Sequence, residues 1–163
     1  MTGNHREIEI VLGSQSDMDQ IQGGLEELGK RGVRFRVHII SCHRNPEDLR
    51  LYARDRVTED MIVIAAAGKA AALPGVLQSW LRYFGKELVW VIGVALKGKT
   101  PRANTAATLA IDELPDNPVL LQNGTAYFGP EGFAAACRDA ATKEFAMKVI
   151  PDKPARLDFI MSS

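Results

Sequence analysis

The stretch MIVIAAAGKAAALPG, residues 61–75, sets the expectations for both the fold and the ligand site. It opens with the large apolar residues Met61 to Ile64, which predict a strand, and a helix is predicted to begin at Leu73. Between them lie alanines, a glycine and the single cation Lys69. A strand exit this bare lets main chain approach a ligand closely, which raises the question of what ligand requires it.

Short apolar runs alternate with longer helical segments along the chain. In the first helical segment Ile21, Leu25 and Leu28 recur at helical spacing, and in the second Pro46 occupies the first turn, where its missing N–H costs nothing. The predicted strands cover residues 7–12, 34–40, 61–66, 88–94 and 119–121, and the predicted helices cover residues 17–30, 46–57, 73–84, 103–114 and 131–147. Strands apolar on both faces and separated by helices predict a doubly wound α/β domain with a parallel sheet.

The composition favours one domain with a small-molecule partner. The chain has 163 residues, and its 20 basic and 20 acidic residues give zero formal net charge, unlike a nucleic-acid-binding protein. No apolar run approaches the roughly 20 residues of a membrane helix and residues 1–7 lack the apolar core of a secretory signal, so a cytoplasmic protein is predicted. Cys42 and Cys137 form no disulfide framework, and no metal-ligand spacing is present.

Ligands of doubly wound sheets bind outside the carboxyl ends of the strands, close to the point where the strand order reverses. Four segments follow predicted strands directly and so lie at the carboxyl ends of those strands; we call them strand exits. They are GSQSD (13–17), SCHRNP (41–46), AAAGKAAALPG (65–75) and GVALKGKT (93–100). The functional residues are therefore expected in these segments.

The first exit places Ser14 and Ser16 just ahead of a helix that begins near Asp17. Free N–H groups at a helix start and two hydroxyls are suited to a phosphate. Asp17 suits a ribose hydroxyl better, because a carboxylate accepts hydrogen bonds and repels an anion. The same residue types are also the preferred helix N-caps, so a purely structural role is the alternative.

The second exit carries Ser41, Cys42, His43 and Arg44 in a row. Histidine exchanges protons near neutral pH, and arginine holds a phosphate through two parallel N–H bonds. This segment predicts a proton shuttle beside an anion clamp. A nucleophilic Cys42 paired with His43 is the alternative, although adjacent residues at a strand exit tend to point to opposite sides.

The fourth exit satisfies the phosphate-loop pattern G-x-x-x-x-G-K-[ST] over Gly93 to Thr100. Val94 to Leu96, however, have the character of a strand end, and Val119 to Leu121 lead into Gln122-Asn123 without the aspartate expected to hold magnesium. A nucleotide-binding phosphate loop is kept as an alternative to a basic surface loop.

Together the segments GSQSD, SCHRNPED, AAAGKAAALPG, VIGV and ELP resemble the aminoimidazole ribonucleotide carboxylase and mutase family of purine biosynthesis in order and spacing, over about residues 8–145. The resemblance implies a flavodoxin-like three-layer α/β/α sandwich with strand order 2-1-3-4-5, assembled as a homo-octamer. It also implies that a carboxyl group moves onto the ring carbon of aminoimidazole ribonucleotide. The carboxyl comes from carbon dioxide in the carboxylases and from the N-carboxy isomer in the mutases.

Carried over by position, the resemblance implies that Ser14, Ser16 and Asp17 bind the phosphate and ribose and that Arg44 binds phosphate. It implies that His43 moves the proton on and off the ring carbon, with Ser41 beside it in the catalytic loop. The substrate contacts expected in the small-residue wall are Gly68, Lys69, Ala72 and Leu73. No metal or organic cofactor is expected, because the ring carbon of an aminoimidazole is already nucleophilic.

Several positions depart from the family pattern. Lys69 and Ala72 match the direct carboxylases, whereas Pro74 matches the mutases and Arg44 replaces the lysine usual in carboxylases. Cys42 replaces a usual alanine. These departures leave open a paralogue that carboxylates or decarboxylates a different heterocyclic nucleotide.

The domain is predicted to cover residues 1–148, followed by residues 149–163 as a separate segment. Pro151 and Pro154 precede Leu157, Phe159 and Ile160 there, which argues against a continued helix. The segment is expected to be either a disordered tail or an arm that contacts a neighbouring subunit.

Overall fold

The sheet has five parallel strands in the computed structural model, which describes residues 6–160 of the chain. They are β1 (Ile8–Leu12), β2 (Phe35–Ile39), β3 (Ile62–Ala67), β4 (Trp90–Ala95) and β5 (Tyr127–Phe128). The order across the sheet is β2-β1-β3-β4-β5, with every pairing parallel, so the order reverses between β1 and β3. The predicted doubly wound sheet and its strand order are confirmed.

Helices cover both faces of the sheet. They are α1 (Gln22–Lys30), α2 (Pro46–Asp55), α3 (Leu73–Tyr83), α4 (Pro101–Asp112) and α5 (Gly129–Thr142), and a 3-10 helix (Gln15–Gln20) precedes α1. One apolar cluster joins the sheet to α2, α3 and α4, and a second joins it to α1 and α5. The architecture is therefore the predicted three-layer α/β/α sandwich, and no helix among residues 6–160 has the length and apolar character needed to cross a membrane.

The last strand differs from its prediction. Within residues 119–121 only Leu120 joins the sheet, by a single bridge to Ile92. The chain then turns at Asn123 and Gly124, which both have positive φ, and Gln122 and Thr125 exchange backbone hydrogen bonds across that turn. The chain re-enters the sheet at β5, beside the end of β4. The turn residues, rather than the apolar run, determine where the edge strand forms.

The closing helix ends at Thr142 instead of continuing to residue 147. Residues 143–151, which we call the strap, leave α5 without regular secondary structure and pass to β4 and α3. Trp90 Nε1 donates to the Ala146 carbonyl at 3.2 Å, and the Phe145 ring packs against the Trp90 ring. Contacts distant in sequence hold this segment, which explains why helical periodicity mispredicted the helix end.

A carboxylate lies fully buried in the middle of the sheet. Glu9, on β1, has Arg56 Nη2 at 2.6 Å, His38 Nε2 at 2.7 Å and the Tyr52 hydroxyl at 3.1 Å. Burial and the neighbouring carboxylate raise the pKa of Tyr52 well above its usual range, so this hydroxyl stays protonated and donates. A buried charge is tolerated only when it is paired and hydrogen-bonded in this way. The cluster joins β1 and β2 to α2.

Replacing Arg56 by methionine is expected to lower the free energy of unfolding by about 3 kcal/mol, because the substitution leaves the buried Glu9 carboxylate without its main counter-charge. Denaturant unfolding followed by circular dichroism measures this. Arg54→Met is the matched control, since Arg54 pairs with Asp55 on the solvent side of the same helix and its loss should change stability little. Equal effects of the two substitutions would contradict a stabilising role for the buried pair.

Candidate functional site

A cavity of about 580 Å³ opens at the carboxyl ends of β1, β2 and β3, where the strand order reverses. This is the expected position for a ligand site in a doubly wound sheet, and the volume is within the usual range for small-molecule pockets. The structure brings every predicted site residue to its lining, namely Ser14, Ser16, Asp17, Ser41, His43, Arg44, Gly68, Lys69, Ala72 and Leu73. It adds Ala70, which lies in the predicted small-residue wall, and Gly13, Cys42 and Ala67, which lie in the predicted segments but were not predicted as ligand contacts.

The exit of β1 forms one side of the cavity. Ser14 has extended backbone, and its Oγ accepts a hydrogen bond from Ser16 N at 3.4 Å while lying 3.0 Å from Ser16 Oγ. The serine therefore does cap the 3-10 helix, as the structural alternative proposed, and still lines the cavity. Burial raises the pKa of the half-buried Asp17, an effect opposed by a backbone hydrogen bond from Ser14 and by the charge of Arg44.

Arg44 joins the exits of β1 and β2. Its Nη2 donates to the Gly13 carbonyl at 3.2 Å, and its Nε donates to Ser41 Oγ at 3.3 Å. The backbone N–H of Arg44 also donates to Ser41 Oγ, at 3.2 Å. The Ser41 hydroxyl is thus occupied in fixing the arginine, and the remaining N–H groups of the guanidinium are left for a ligand.

The His43 side chain is solvent-exposed at the cavity wall, and within residues 6–160 its ring takes part in no hydrogen bond or ion pair. Both ring nitrogens are therefore available to a bound molecule. Burial raises the pKa of the neighbouring Cys42 thiol, which keeps it protonated and argues against a nucleophilic thiolate at this position. His43 is the histidine that lines the cavity, and histidine is the residue type suited to proton exchange near neutral pH.

The exit of β3 forms the opposite wall, from Ala67 to Leu73. Lys69 has a φ of 54°, in the left-handed region that side chains other than glycine rarely adopt. Its side chain is exposed, lines the cavity and, among the residues that the structure describes, forms no salt bridge. Strain retained at a cavity wall points to a functional role for the side chain.

The phosphate-loop alternative is not favoured by the geometry. Val94 and Ala95 belong to β4, and Gly93 lacks a side chain because a Cβ there would lie 2.6 Å from Ile111 on α4. The Gly98 N–H donates to Asn104 Oδ1 at 2.7 Å, and the Thr100 hydroxyl caps α4. The N–H groups that would cradle phosphates are engaged within the protein.

A metal centre receives no support from the described residues. Between residues 6 and 160, no three His, Cys, Asp or Glu side chains lie close enough together to hold an ion.

Comparison with known proteins identifies relatives across most of the chain. The family model described as AIR carboxylase matches residues 7–120. The chain is 33% identical over 132 residues to the N5-carboxyaminoimidazole ribonucleotide mutase of Haemophilus influenzae, covering 80% of this chain and 74% of that protein. It is 30% identical over 142 residues to the phosphoribosylaminoimidazole carboxylase of Schizosaccharomyces pombe, covering 78% of this chain but only 25% of that longer protein.

A solved structure supports the fold independently. The crystal structure of Treponema denticola PurE superposes with a TM-score of 0.61 at 20% sequence identity, covering 80% of this chain and 77% of that one. At this identity the likeness concerns the fold.

Replacing Lys69 by glycine is expected to raise the free energy of unfolding by about 0.5–1 kcal/mol, because glycine adopts positive φ without steric cost. Lys99→Gly is the control, since Lys99 is an exposed loop lysine without positive φ. There the added freedom of the unfolded chain should lower stability. Chemical denaturation measures the free energy of unfolding of both variants. A Lys69→Gly protein less stable than the parent would show that the left-handed backbone carries no strain.

Proposed function

This chain belongs to the AIR carboxylase family, and on that premise we propose that it transfers a carboxyl group to the ring carbon of aminoimidazole ribonucleotide in purine biosynthesis. The product is 4-carboxyaminoimidazole ribonucleotide. One observation carries the proposal: a proton-exchanging imidazole, an arginine and two serines line the same cavity as a wall of alanine and glycine.

In the proposed complex the substrate phosphate binds at the first two strand exits. Ser14 and Ser16 offer their hydroxyl groups, and Arg44 offers the guanidinium N–H groups that Gly13 and Ser41 leave free. Asp17, which is half-buried beside them, accepts a hydrogen bond from the ribose. Fixing the nucleotide at its phosphate holds the ring against the opposite wall, which converts a bimolecular encounter into a positioned reaction.

The wall from Ala67 to Leu73 then receives the ring and the carboxyl group. Side chains no larger than methyl leave main chain accessible at Gly68 and Ala70, so that their N–H groups can stabilise developing negative charge, whereas the Ala72 N–H donates to the Ala70 carbonyl. Lys69 supplies a cation at the same wall for the carboxylate. This requirement for close backbone contact answers the question raised by the bare strand exit.

The proposed chemistry needs one proton acceptor. The aminoimidazole ring is an enamine, so its ring carbon attacks the carbon of carbon dioxide, and one C=O bond opens to a carboxylate as the new carbon–carbon bond forms. In the mutase version, that carbon dioxide is released when the N–C bond of the N-carboxy isomer breaks. The ring carbon then carries both hydrogen and carboxylate, and aromaticity returns when a base removes that hydrogen as a proton. We assign this step to His43, whose two ring nitrogens are not engaged by the described residues.

The source of the carboxyl group separates two versions of the reaction. Purified protein would be offered aminoimidazole ribonucleotide with bicarbonate, and separately the N-carboxy isomer, with product absorbance followed in both. Product from the first mixture alone identifies a carboxylase that uses carbon dioxide, and product from the isomer alone identifies a mutase. No product from either would contradict the proposed function and revive a different heterocyclic nucleotide as substrate, which no structural observation favours.

We also propose that the protein acts in the cytoplasm as a homo-octamer whose sites lie between subunits. Its two cysteines, Cys42 and Cys137, are free, which accords with a reducing compartment. Exposure of His43 and Lys69 in a single chain leaves space for a neighbouring subunit to exclude water from the reacting groups.

Replacing His43 by asparagine is expected to lower turnover by roughly 10²–10⁴-fold, the usual loss on removing a general base, while nucleotide binding persists. Turnover is followed by absorbance and binding by calorimetry. A variant with near wild-type turnover would exclude the proton-transfer role.

Replacing Arg44 by alanine should weaken nucleotide binding by about ten-fold or more, because a charge-assisted phosphate contact is lost together with the link between two loops. Arg50→Ala is the matched control, since Arg50 pairs with Glu47 on the nearby helix α2 and does not line the cavity. If calorimetry gave the same dissociation constant for Arg44→Ala and Arg50→Ala, the phosphate assignment would fail.

A further inference from the structure

A glutamine side chain joins two strand exits that are not neighbours in the sheet. Gln20 is the last residue of the 3-10 helix that follows β1, and Lys97 lies in the loop just beyond β4. Gln20 Oε1 accepts a hydrogen bond from the Lys97 N–H at 2.8 Å, and Gln20 Nε2 donates to the Lys97 carbonyl at 2.9 Å. We call this pair of hydrogen bonds the clasp. Because each bond has a preferred direction, the pair fixes the orientation of Lys97 as well as its distance from Gln20.

The exit of β3, where the wall from Ala67 to Leu73 begins, lies between the two strand exits that the clasp joins. In the sheet β3 is placed between β1 and β4. The Gly13 N–H donates to the Ala66 carbonyl at 3.2 Å, and the Leu96 N–H donates to the Ala67 carbonyl at 2.9 Å. The start of the wall is therefore held by the exits of β1 and β4, and the clasp fixes those two exits relative to each other.

The other end of the clasp belongs to residues 14–17, which we call the serine loop. Ser16 and Asp17 lie in the same 3-10 helix as Gln20, and Ser14 caps that helix. The following residue, Ile21, is fully buried in the apolar cluster beneath α1 and α5, which gives the short helix a fixed base. Gln20 therefore connects the groups proposed to hold the phosphate and the ribose to the wall proposed to hold the ring.

The clasp acts on the cavity from outside it. Neither Gln20 nor Lys97 is among the residues that line the cavity, so neither is placed to touch a bound molecule. Lys97 lies in an exposed loop, where water can satisfy backbone groups that lose a side-chain partner. The main effect of the clasp is therefore on where the loop lies. Arg44 makes the corresponding link on the other side, between the exits of β1 and β2.

We propose that Gln20 is a positioning residue, which sets the spacing between the serine loop and the wall and thereby the placement of the ring; the inference rests on the proposed function. The contact between Ser14 and Ser16 does not depend on Gln20. The same is true of the hydrogen bond from Arg44 to Gly13. Loss of the clasp therefore leaves nucleotide binding nearly unchanged and lowers turnover, since a displacement of about 1 Å in a positioned reaction can lower its rate about 10²-fold.

Gln20→Met tests the inference, because methionine is similarly long and unbranched but lacks the amide. Gln22→Met is the matched control, since Gln22 Nε2 donates at 2.9 Å to the Met18 carbonyl, within its own segment of the chain. For Gln20→Met we expect kcat about 10–100-fold below the parent, with the Kd of 4-carboxyaminoimidazole ribonucleotide within about two-fold by calorimetry. Gln22→Met should change neither. A kcat equal to that of the control, or a loss of binding as large as the loss of turnover, would overturn the positioning role.

Trypsin cleavage without substrate separates this inference from the proposed function. Lys69 lies in the wall and takes no part in the clasp, so the rate of cleavage after Lys69, followed by mass spectrometry, reports how firmly the wall is held. We expect faster cleavage there in Gln20→Met than in the parent or in Gln22→Met, and equal rates would overturn the inference. A parent protein that turns over neither aminoimidazole ribonucleotide with bicarbonate nor the N-carboxy isomer would exclude the proposed function instead, and the cleavage rates would still show whether the clasp fixes the wall.

Discussion

The guanidinium of Arg44 holds together the ends of two strands, and the geometry of the site depends on that link. It donates to the Gly13 carbonyl at the end of β1 and to the Ser41 hydroxyl at the end of β2. These strands lie side by side in the sheet, and the arginine adds a direct contact between the loops that follow them. The link sets the serines of one loop and the histidine of the other around a common cavity, opposite the exit of β3.

Beneath the loops, the buried carboxylate of Glu9 holds the same strands from below. It accepts a hydrogen bond from Tyr52 on α2 and pairs with Arg56 just beyond that helix, and it also faces His38 on β2. β2 and α2 are the elements that flank the loop carrying Ser41 and His43. A polar cluster inside the sheet and an arginine above it thus hold one loop from both sides, which is how a solvent-exposed histidine can keep a defined position.

The residues chosen from the sequence line one cavity because local chemistry and topology agree there. Strand ends can be recognised from apolar runs, and Ser14, His43 and Lys69 each lie within three residues of the end of such a run. The sequence did not reveal which hydrogen bonds these loops make with one another. The Gly13 carbonyl as an arginine acceptor and the Ser41 hydroxyl as its support arise from contacts between loops. The positive φ of Lys69 likewise could not be predicted from a lysine in a run of small residues.

The errors in the predicted fold also arise from contacts that a local sequence pattern does not contain. Residues 119–121 are as apolar as a strand, yet the turn at Asn123 and Gly124 delays the edge strand to β5. Helical periodicity continued past Thr142, but contacts with Trp90, Gln78 and Arg82 hold the strap in a non-helical path. Local patterns predict which elements form, whereas partners distant in sequence decide where those elements end.

In the proposed reaction a nucleotide phosphate and the His43 imidazole meet across one cavity. A crystal structure of the protein with 4-carboxyaminoimidazole ribonucleotide bound would show whether they do. We expect the phosphate on Ser14, Ser16 and Arg44, the ring against residues 67–72, and a His43 ring nitrogen about 3 Å from the carboxylate or the ring carbon that bears it. A nucleotide bound elsewhere, or with its ring turned away from His43, would exclude the proposed function of this cavity.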